Sequence, residues 1–300
     1  MVGPLRICGR GWLPVLLGAW FAAAAVRAQP EAQPLRIVTS FYPMYVATLN
    51  VAAALPGVTV TNLTRPLTGC LHDYQLAPED MITLTTADIF VINGAGMESF
   101  LDKAVRHNPR LVVVDASAGI ELIREGTAPD GAANPHVWVS VSDHLQQVAN
   151  IAAGLAKADP GRAARYAANA TAYRAQLEVL RTEMHQALAG ARGRPIVTFH
   201  EAFPYFAREF GLHVAAVVER EPGAEPNAQE LAATIRTVRA AGVQALFAEP
   251  QYPAKAAELI ARETRAKVYI LDPAVSGPPQ ADAYLVIMRR NLQVLRDALQ

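Results

Sequence analysis

Between Asp159 and Gly190 the apolar residues Leu177, Leu180, Met184 and Leu188 stand three and four positions apart, and Arg162, Arg165, Arg174, Arg181 and Glu183 fall between or beside them. On a helix of 3.6 residues per turn that spacing gathers the apolar side chains into one stripe and turns the charges to water. Asp159 is of N-cap type, and Pro160 suits the first helical position, where the backbone N–H has no partner to lose. No further proline interrupts the run before Gly190 and Gly193, which stop it. The pattern predicts one unbroken helix over 159–190, roughly 45 Å long at ~1.5 Å per residue. Segments of similar size flank it, so it reads as a spine joining two lobes, and a cleft between lobes is a usual ligand site. A plain core helix of one large domain would carry the same pattern.

Before the spine, short β-branched or apolar runs alternate with helical patterns. Strands are expected at 35–39, 58–63, 89–92 and 111–114, with helices at 42–55, 78–86, around 98–107 and at 142–158. Glu79 and Asp80 sit in the first turn of the 78–86 helix, where the macrodipole favours acids. After the spine the same grammar returns, with strands at 196–199, 214–218, 245–247 and 268–271 and helices at 202–210, 227–241, 254–264 and 281–299. Asn227 and Glu230 form a capping-box pair. Near-continuous apolar strands alternating with helices argue for parallel sheets covered on both faces. The expected fold is α/β, with two similar four-stranded parallel-sheet lobes (29–158 and 191–300) joined by the 159–190 helix and a ligand site in the cleft between them.

The first residues change the picture of what is exported and what folds. Arg6 and Arg10 precede the apolar, Ala-rich stretch 12–26, and Val26-Arg27-Ala28 fits a small-residue cleavage site, so 1–28 reads as a signal peptide. The stretch is short for a membrane span. Cys8 lies too early for a lipoprotein cysteine. The whole chain carries 27 basic and 27 acidic residues; without 1–28 it carries 24 and 27, since Arg6, Arg10 and Arg27 go and no acid does. That balance offers no nucleic-acid surface. One cysteine, Cys70, then remains, so an internal disulfide is excluded even in an oxidising compartment. No sequence repeat, low-complexity tract or charge block is visible.

In open parallel sheets ligands bind outside the carboxyl ends of the strands. His72 and His136 follow the second and fourth strands of the first lobe, and His200 and Asp272 follow the first and fourth strands of the second. Three imidazoles and a carboxylate meeting at one cleft suit zinc. The spacing alone is moderately specific: there is no HExxH and no CxxC pair.

The words around these residues are more specific. Gly69-Cys70-Leu71-His72-Asp73-Tyr74, the run from Ala87 through Asn93-Gly94-Ala95-Gly96 to Glu98, Asn134-Pro135-His136-Val137-Trp138, Phe199-His200-Glu201-Ala202-Phe203 and Leu271-Asp272-Pro273 resemble those of the metal-binding solute receptors of ABC importers, of the ZnuA-like zinc-uptake type. The resemblance covers essentially the whole mature chain. It implies that His72, His136, His200 and Asp272 ligate the metal, that zinc is the cargo, and that the partners are ABC permease membrane subunits. A periplasmic or otherwise extracytoplasmic monomer follows, with no enzymatic reaction and no nucleic acid. Many members carry Asp-Pro-His where this chain has Asn134-Pro135-His136, which puts the supporting role of that acid in question. The long His-rich loop of many zinc-uptake members has no counterpart in 121–133.

Manganese receptors of the family tend to place a glutamate where His200 stands, and imidazole suits zinc better than manganese. Zinc is therefore the expected cargo, with manganese or iron the alternative and Glu201 able to offer a carboxylate one residue on. A zinc hydrolase with Glu201 as base, or a surface adhesin, is the rival class. The remaining groups have plainer readings. His107 belongs to a helix end, and His144, His185 and His213 to solvent-facing positions. Gly94-Ala95-Gly96 lacks the third glycine of a dinucleotide fingerprint. Glu249 is placed either behind a ligand imidazole or at a core edge, and Cys70 is left outside the ligand set.

Overall fold

The computed structural model describes residues 1–3, 34–64, 70–71, 74–124, 131–218 and 226–299. The 1–28 segment beyond Gly3, together with His72 and Asp73, lies outside the described residues.

The first sheet comprises β1 (Leu35–Thr39), β2 (Val58–Asn62), β3 (Ile89–Ile92) and β4 (Val112–Asp115), all parallel, in the order β2-β1-β3-β4. The second comprises β5 (Pro195–Thr198), β6 (His213–Val217), β7 (Ala245–Ala248) and β8 (Lys267–Ile270), also parallel, in the order β6-β5-β7-β8. The two lobes thus share one topology. Central strands are the apolar ones: β3 and β7 are buried at every position, while β2, at an edge, exposes Thr59 and Thr61. Along β5 the side chains alternate between two cores. Ile196 joins the large cluster that runs from the first lobe through the spine, and Val197 joins a smaller one under the second lobe's own helices.

The helices are α1 (Tyr42–Val51), α2 (Pro78–Thr86), α3 (Leu101–His107), α4 (Val141–Ala158), α5 (Ala163–Leu188), α6 (Pro204–Phe210), α7 (Ala228–Ala240), α8 (Lys255–Thr264) and α9 (Ala283–Leu299). The spine is α5, and it is not one unbroken α-helix over 159–190. A 3₁₀ turn (Pro160–Arg162) precedes it and another (Ala189–Ala191) follows. The Asp159 carboxylate does not cap the helix backbone. It binds the Arg162 guanidinium at 2.8 Å and the Tyr166 hydroxyl at 2.9 Å. The buried stripe is longer than the leucines alone suggest: Tyr166, Ala170, Tyr173, Leu177, Leu180, Met184 and Leu188 face α4, α9 and α1.

Other differences have local causes. The helix expected near 98–107 starts at Leu101, because the Glu98 carboxylate accepts the Asn93 N–H at 2.8 Å and the Gly94 N–H at 3.0 Å and closes a turn instead. Pro204 sets the start of α6, and Gly211, at φ +68°, ends it. Asn227 caps α7 as expected: its Oδ1 accepts from Gln229 and Glu230 N–H, and Glu230 reaches back to the Asn227 N–H. Ser140 accepts the Asp143 N–H and starts α4.

Bonds across the lobes anchor the loops that carry the site. Trp138 Nε1–H donates to the Pro273 carbonyl at 2.7 Å, and the Tyr284 hydroxyl of α9 donates to the Trp138 carbonyl at 2.8 Å. The Tyr42 hydroxyl donates to the Pro278 carbonyl at 2.8 Å. Trp138 lies two residues beyond His136, and Pro273 follows Asp272, so these bonds fix both loops. Among the described residues no helix is long and apolar enough to cross a membrane.

The face of α4 against β4 is packed without spare room. A Cβ on Gly154 would lie 2.4 Å from Val114 Cγ1. Alanine would gain about 1 kcal/mol of helix propensity, but forced overpacking costs ~1–3 kcal/mol, so the clash wins. Gly154→Ala is expected to lower the urea midpoint; a midpoint equal to or above that of the unmodified protein would show that Val114 yields freely.

Candidate metal centre

His136 and His200 come from different lobes and meet. His136 stands at the end of the loop from β4, directly before a 3₁₀ turn (Val137–Val139), and His200 lies two residues beyond β5. Both are buried, at 1% and 0% exposure. Their Nε2 atoms are 3.1 Å apart and their rings meet edge to face. Cys70 completes the group: its Sγ is 3.7 Å from His200 Nε2, and one ligand atom from each of the three residues lies within 4.8 Å of the others.

The other nitrogen of each ring is already committed. His200 Nδ1 lies 2.5 Å from Glu249 Oε1, and His136 Nδ1 lies 3.1 Å from Asn134 Oδ1. A carboxylate and an amide oxygen accept, so each Nδ1 carries a hydrogen, and in a neutral ring Nε2 then presents a lone pair. Two neutral rings so placed repel unless a proton or a metal ion lies between or beside the two nitrogens. On a tetrahedral zinc with Zn–N ~2.0–2.1 Å, two nitrogens stand roughly 3.3 Å apart, close to the spacing here. Asn134 is itself held, since its Oδ1 also accepts the His136 N–H and its Nδ2 donates to the Glu201 carbonyl. The amide thus orients the imidazole although it lacks the charge of an acid.

Glu249 is buried behind His200, and among the described residues its Oε2 has no hydrogen-bond partner. Of the two placements open to it, behind an imidazole or at a core edge, the structure shows the first: Oε1 meets the His200 ring. Its charge is felt around the centre: burial pushes the Cys70 thiol well above its usual range and Glu249 adds to the shift. Burial also raises the Asp272 carboxyl, with Glu249 again adding and the Ala274 N–H and Gln251 amide opposing.

The four residues expected to ligate are therefore placed unevenly. His136 and His200 come together. His72 lies outside the described residues. Asp272 follows β8 as expected, but its carboxylate stands outside the three-residue group. Oδ1 accepts the Ala274 N–H at 2.8 Å and the Gln251 amide at 3.3 Å. Asn291 locks the Asp272 backbone from α9 through both its amide atoms. Cys70, left out of the expected set, sits inside the group; the signal was present in its position two residues before His72.

His144 corrects the expectation of a solvent-facing residue. It is fully buried, stacked on Tyr284 at 4.1 Å, with Nδ1 donating to Gln147 Oε1. Burial pushes its pKa down to about 4, with the Gln147 bond opposing. His185 is exposed, as expected, and lies 3.3 Å from Glu209.

Two α/β lobes of like topology, with buried imidazoles of both meeting beyond the carboxyl ends of the strands, define a two-lobed, metal-binding solute-binding protein. The chain belongs to the family of the zinc-uptake complex component A periplasmic (ZnuA), which it matches over residues 37–298. It is 30% identical over 291 residues to the high-affinity zinc uptake system protein ZnuA of Bacillus subtilis (strain 168), covering 91% of this chain and 90% of that one. It is 28% identical over 307 residues to the zinc-binding protein AdcA of Streptococcus pyogenes serotype M6; the match covers 93% of this chain, which spans 58% of AdcA. Among solved structures, the solute-binding protein FpvC of Pseudomonas aeruginosa in complex with Mn2+ matches with a TM-score of 0.79 at 32% identity, over 89% of this chain and 99% of that one. FpvC with Ni2+ gives 0.80 at 33%, over 89% and 97%.

Proposed function

We propose that the protein is an extracytoplasmic receptor that captures one zinc ion between its lobes and delivers it to an ABC-type membrane permease. The observation that carries this is the pair of buried Nε2 atoms, one from each lobe, 3.1 Å apart with both Nδ1 atoms already bonded. A metal held there would join the lobes directly, so loading and lobe closure are one event. We propose His72, His136, His200 and Asp272 as ligands. His136 and His200 are supported by geometry, His72 and Asp272 by their place after strand ends. The proposed chain divides into an exported leader (1–28), a first lobe (29–158), the linking helix (159–190) and a second lobe (191–300).

Carriage fits better than hydrolysis. Glu249 is spent on orienting His200, and among the described residues the carboxylate of Glu201, the base of the hydrolase reading, stands outside the metal-competent group. A hydrolytic zinc needs an open position and a base beside its water. Imidazole donors favour zinc over manganese; the Mn2+ and Ni2+ complexes of FpvC make those metals the alternatives to test. Titrating metal-free protein with zinc is expected to give one tight equivalent, with a raised melting temperature and no hydrolase activity. Two tight equivalents, none, or tighter binding of manganese would sink the reading.

A further inference from the structure

We propose that the Cys70 thiolate is itself a ligand of the carried metal, so that this receptor holds its cargo in a mixed sulfur and imidazole shell that selects zinc-like over manganese-like ions. The inference rests on the metal-carrier reading above and names a donor that reading does not include.

The distances carry it. A sulfur at ~2.3 Å and a nitrogen at ~2.0–2.1 Å on one tetrahedral zinc stand roughly 3.6 Å apart. Cys70 Sγ and His200 Nε2 are 3.7 Å apart, and the two imidazole nitrogens are 3.1 Å apart. Both edges agree with a shared tetrahedral ion to within a few tenths of an ångström.

A thiol hydrogen bond explains less. With Nδ1–H of His200 given to Glu249, the thiol could donate to His200 Nε2 at 3.7 Å. The His136 lone pair would then still face His200 Nε2 at 3.1 Å, with its own hydrogen committed to Asn134. One cation shared by the three atoms accounts for both distances.

Asp272, by contrast, already spends Oδ1 on Ala274 and Gln251 and stands outside the group. The sulfur therefore lies nearer the paired imidazoles than the carboxylate does. The consequence is selectivity. Thiolate is a soft donor that suits zinc, whereas manganese is served by carboxylate, carbonyl and water oxygens.

The test is X-ray absorption at the zinc edge on zinc-loaded protein, with cobalt-substituted protein beside it. One sulfur scatterer at ~2.3 Å is expected with nitrogen or oxygen at ~2.0–2.1 Å, together with a near-ultraviolet thiolate-to-cobalt charge-transfer band. In Cys70→Ser both signals should vanish while one equivalent of zinc still binds. The preference for zinc over manganese should narrow by at least about tenfold, the smallest loss usual for a group one shell further out. One bound zinc with only nitrogen and oxygen neighbours in the unmodified protein overturns the inference and leaves the carrier reading standing. No zinc bound by the unmodified protein overturns both. If Cys70→Ser does not fold, the cobalt and zinc spectra of the unmodified protein decide alone.

Discussion

Replacing His200 by alanine is expected to weaken zinc binding by about a hundredfold or more. Zinc sites of four ligands are worth ~10–16 kcal/mol, so an average ligand carries roughly 3 kcal/mol, about two powers of ten in Kd. His200 is the ligand candidate with most support: it is fully buried, its tautomer is set by Glu249, and its Nε2 faces both His136 and Cys70. Glu249→Gln keeps the ring and its acceptor oxygen but removes the charge behind it, and an outer partner of this kind typically accounts for 10–100-fold. Affinity should fall in that order, with His200→Ala the weaker binder, while the metal-free melting temperature of each variant shows that the fold survives. Chelator competition measures both. His200→Ala binding within a few-fold of the unmodified protein would remove His200 from the shell.

Acid should weaken the fold through His144, away from the metal. In the folded state this residue titrates near 4, against 6.5 for an ordinary histidine, because burial excludes the charged form. The stability gained from keeping it neutral is present above pH ~6.5 and lost as pH falls through the folded value. A shift of that size is worth ~3 kcal/mol. Among the described residues Tyr284 stacks on the ring, Tyr173 meets it edge-on, Gln147 takes Nδ1, and Nε2 has no hydrogen-bond partner, so these contacts offer the cation no carboxylate. Glu98 works in the opposite direction: burial raises it to about 7, so stability from its neutral form is complete below the ordinary carboxyl value and is lost as pH rises through about 7. The two slopes oppose each other, and the curve of the unmodified protein alone is uninformative. His144→Phe keeps the stack on Tyr284 and removes the titration. The difference in unfolding free energy between the unmodified protein and the variant should fall by about 3 kcal/mol between pH 6.5 and 4. A flat difference would mean that His144 is charged or hydrated in the folded state.

Local signals carried far in this chain. The bounds of β1, α2 and β3 fall where their residue patterns place them, because Pro78 sets φ at a helix start and β-branched runs end at polar or glycine residues. The Asn227–Glu230 box is complete within four residues and needs no tertiary help. The ends of the spine were less legible, since Asp159 had two equally local uses. Tyr166, seven residues on, offered a hydroxyl that took the carboxylate from the backbone.

The sequence by itself determined the α/β class, two rounds of strand–helix alternation about a long helix, and histidines placed beyond strand ends, all properties of spacing along one chain. Only the tertiary structure decided the strand order, the burial of His144 and the membership of the metal group. Strand order depends on which crossovers pack, and the two lobes reach the same order with no visible sequence repeat. His144 is covered by α9, whose Tyr284 lies 140 positions along the chain. In sequence Asp272 is the expected ligand and Cys70 stands outside the set. Folding places the sulfur 3.7 Å from His200 and ties Asp272 to Ala274, Gln251 and Asn291. Proximity across 130 residues is set by how the lobes pack, and local spacing does not encode it.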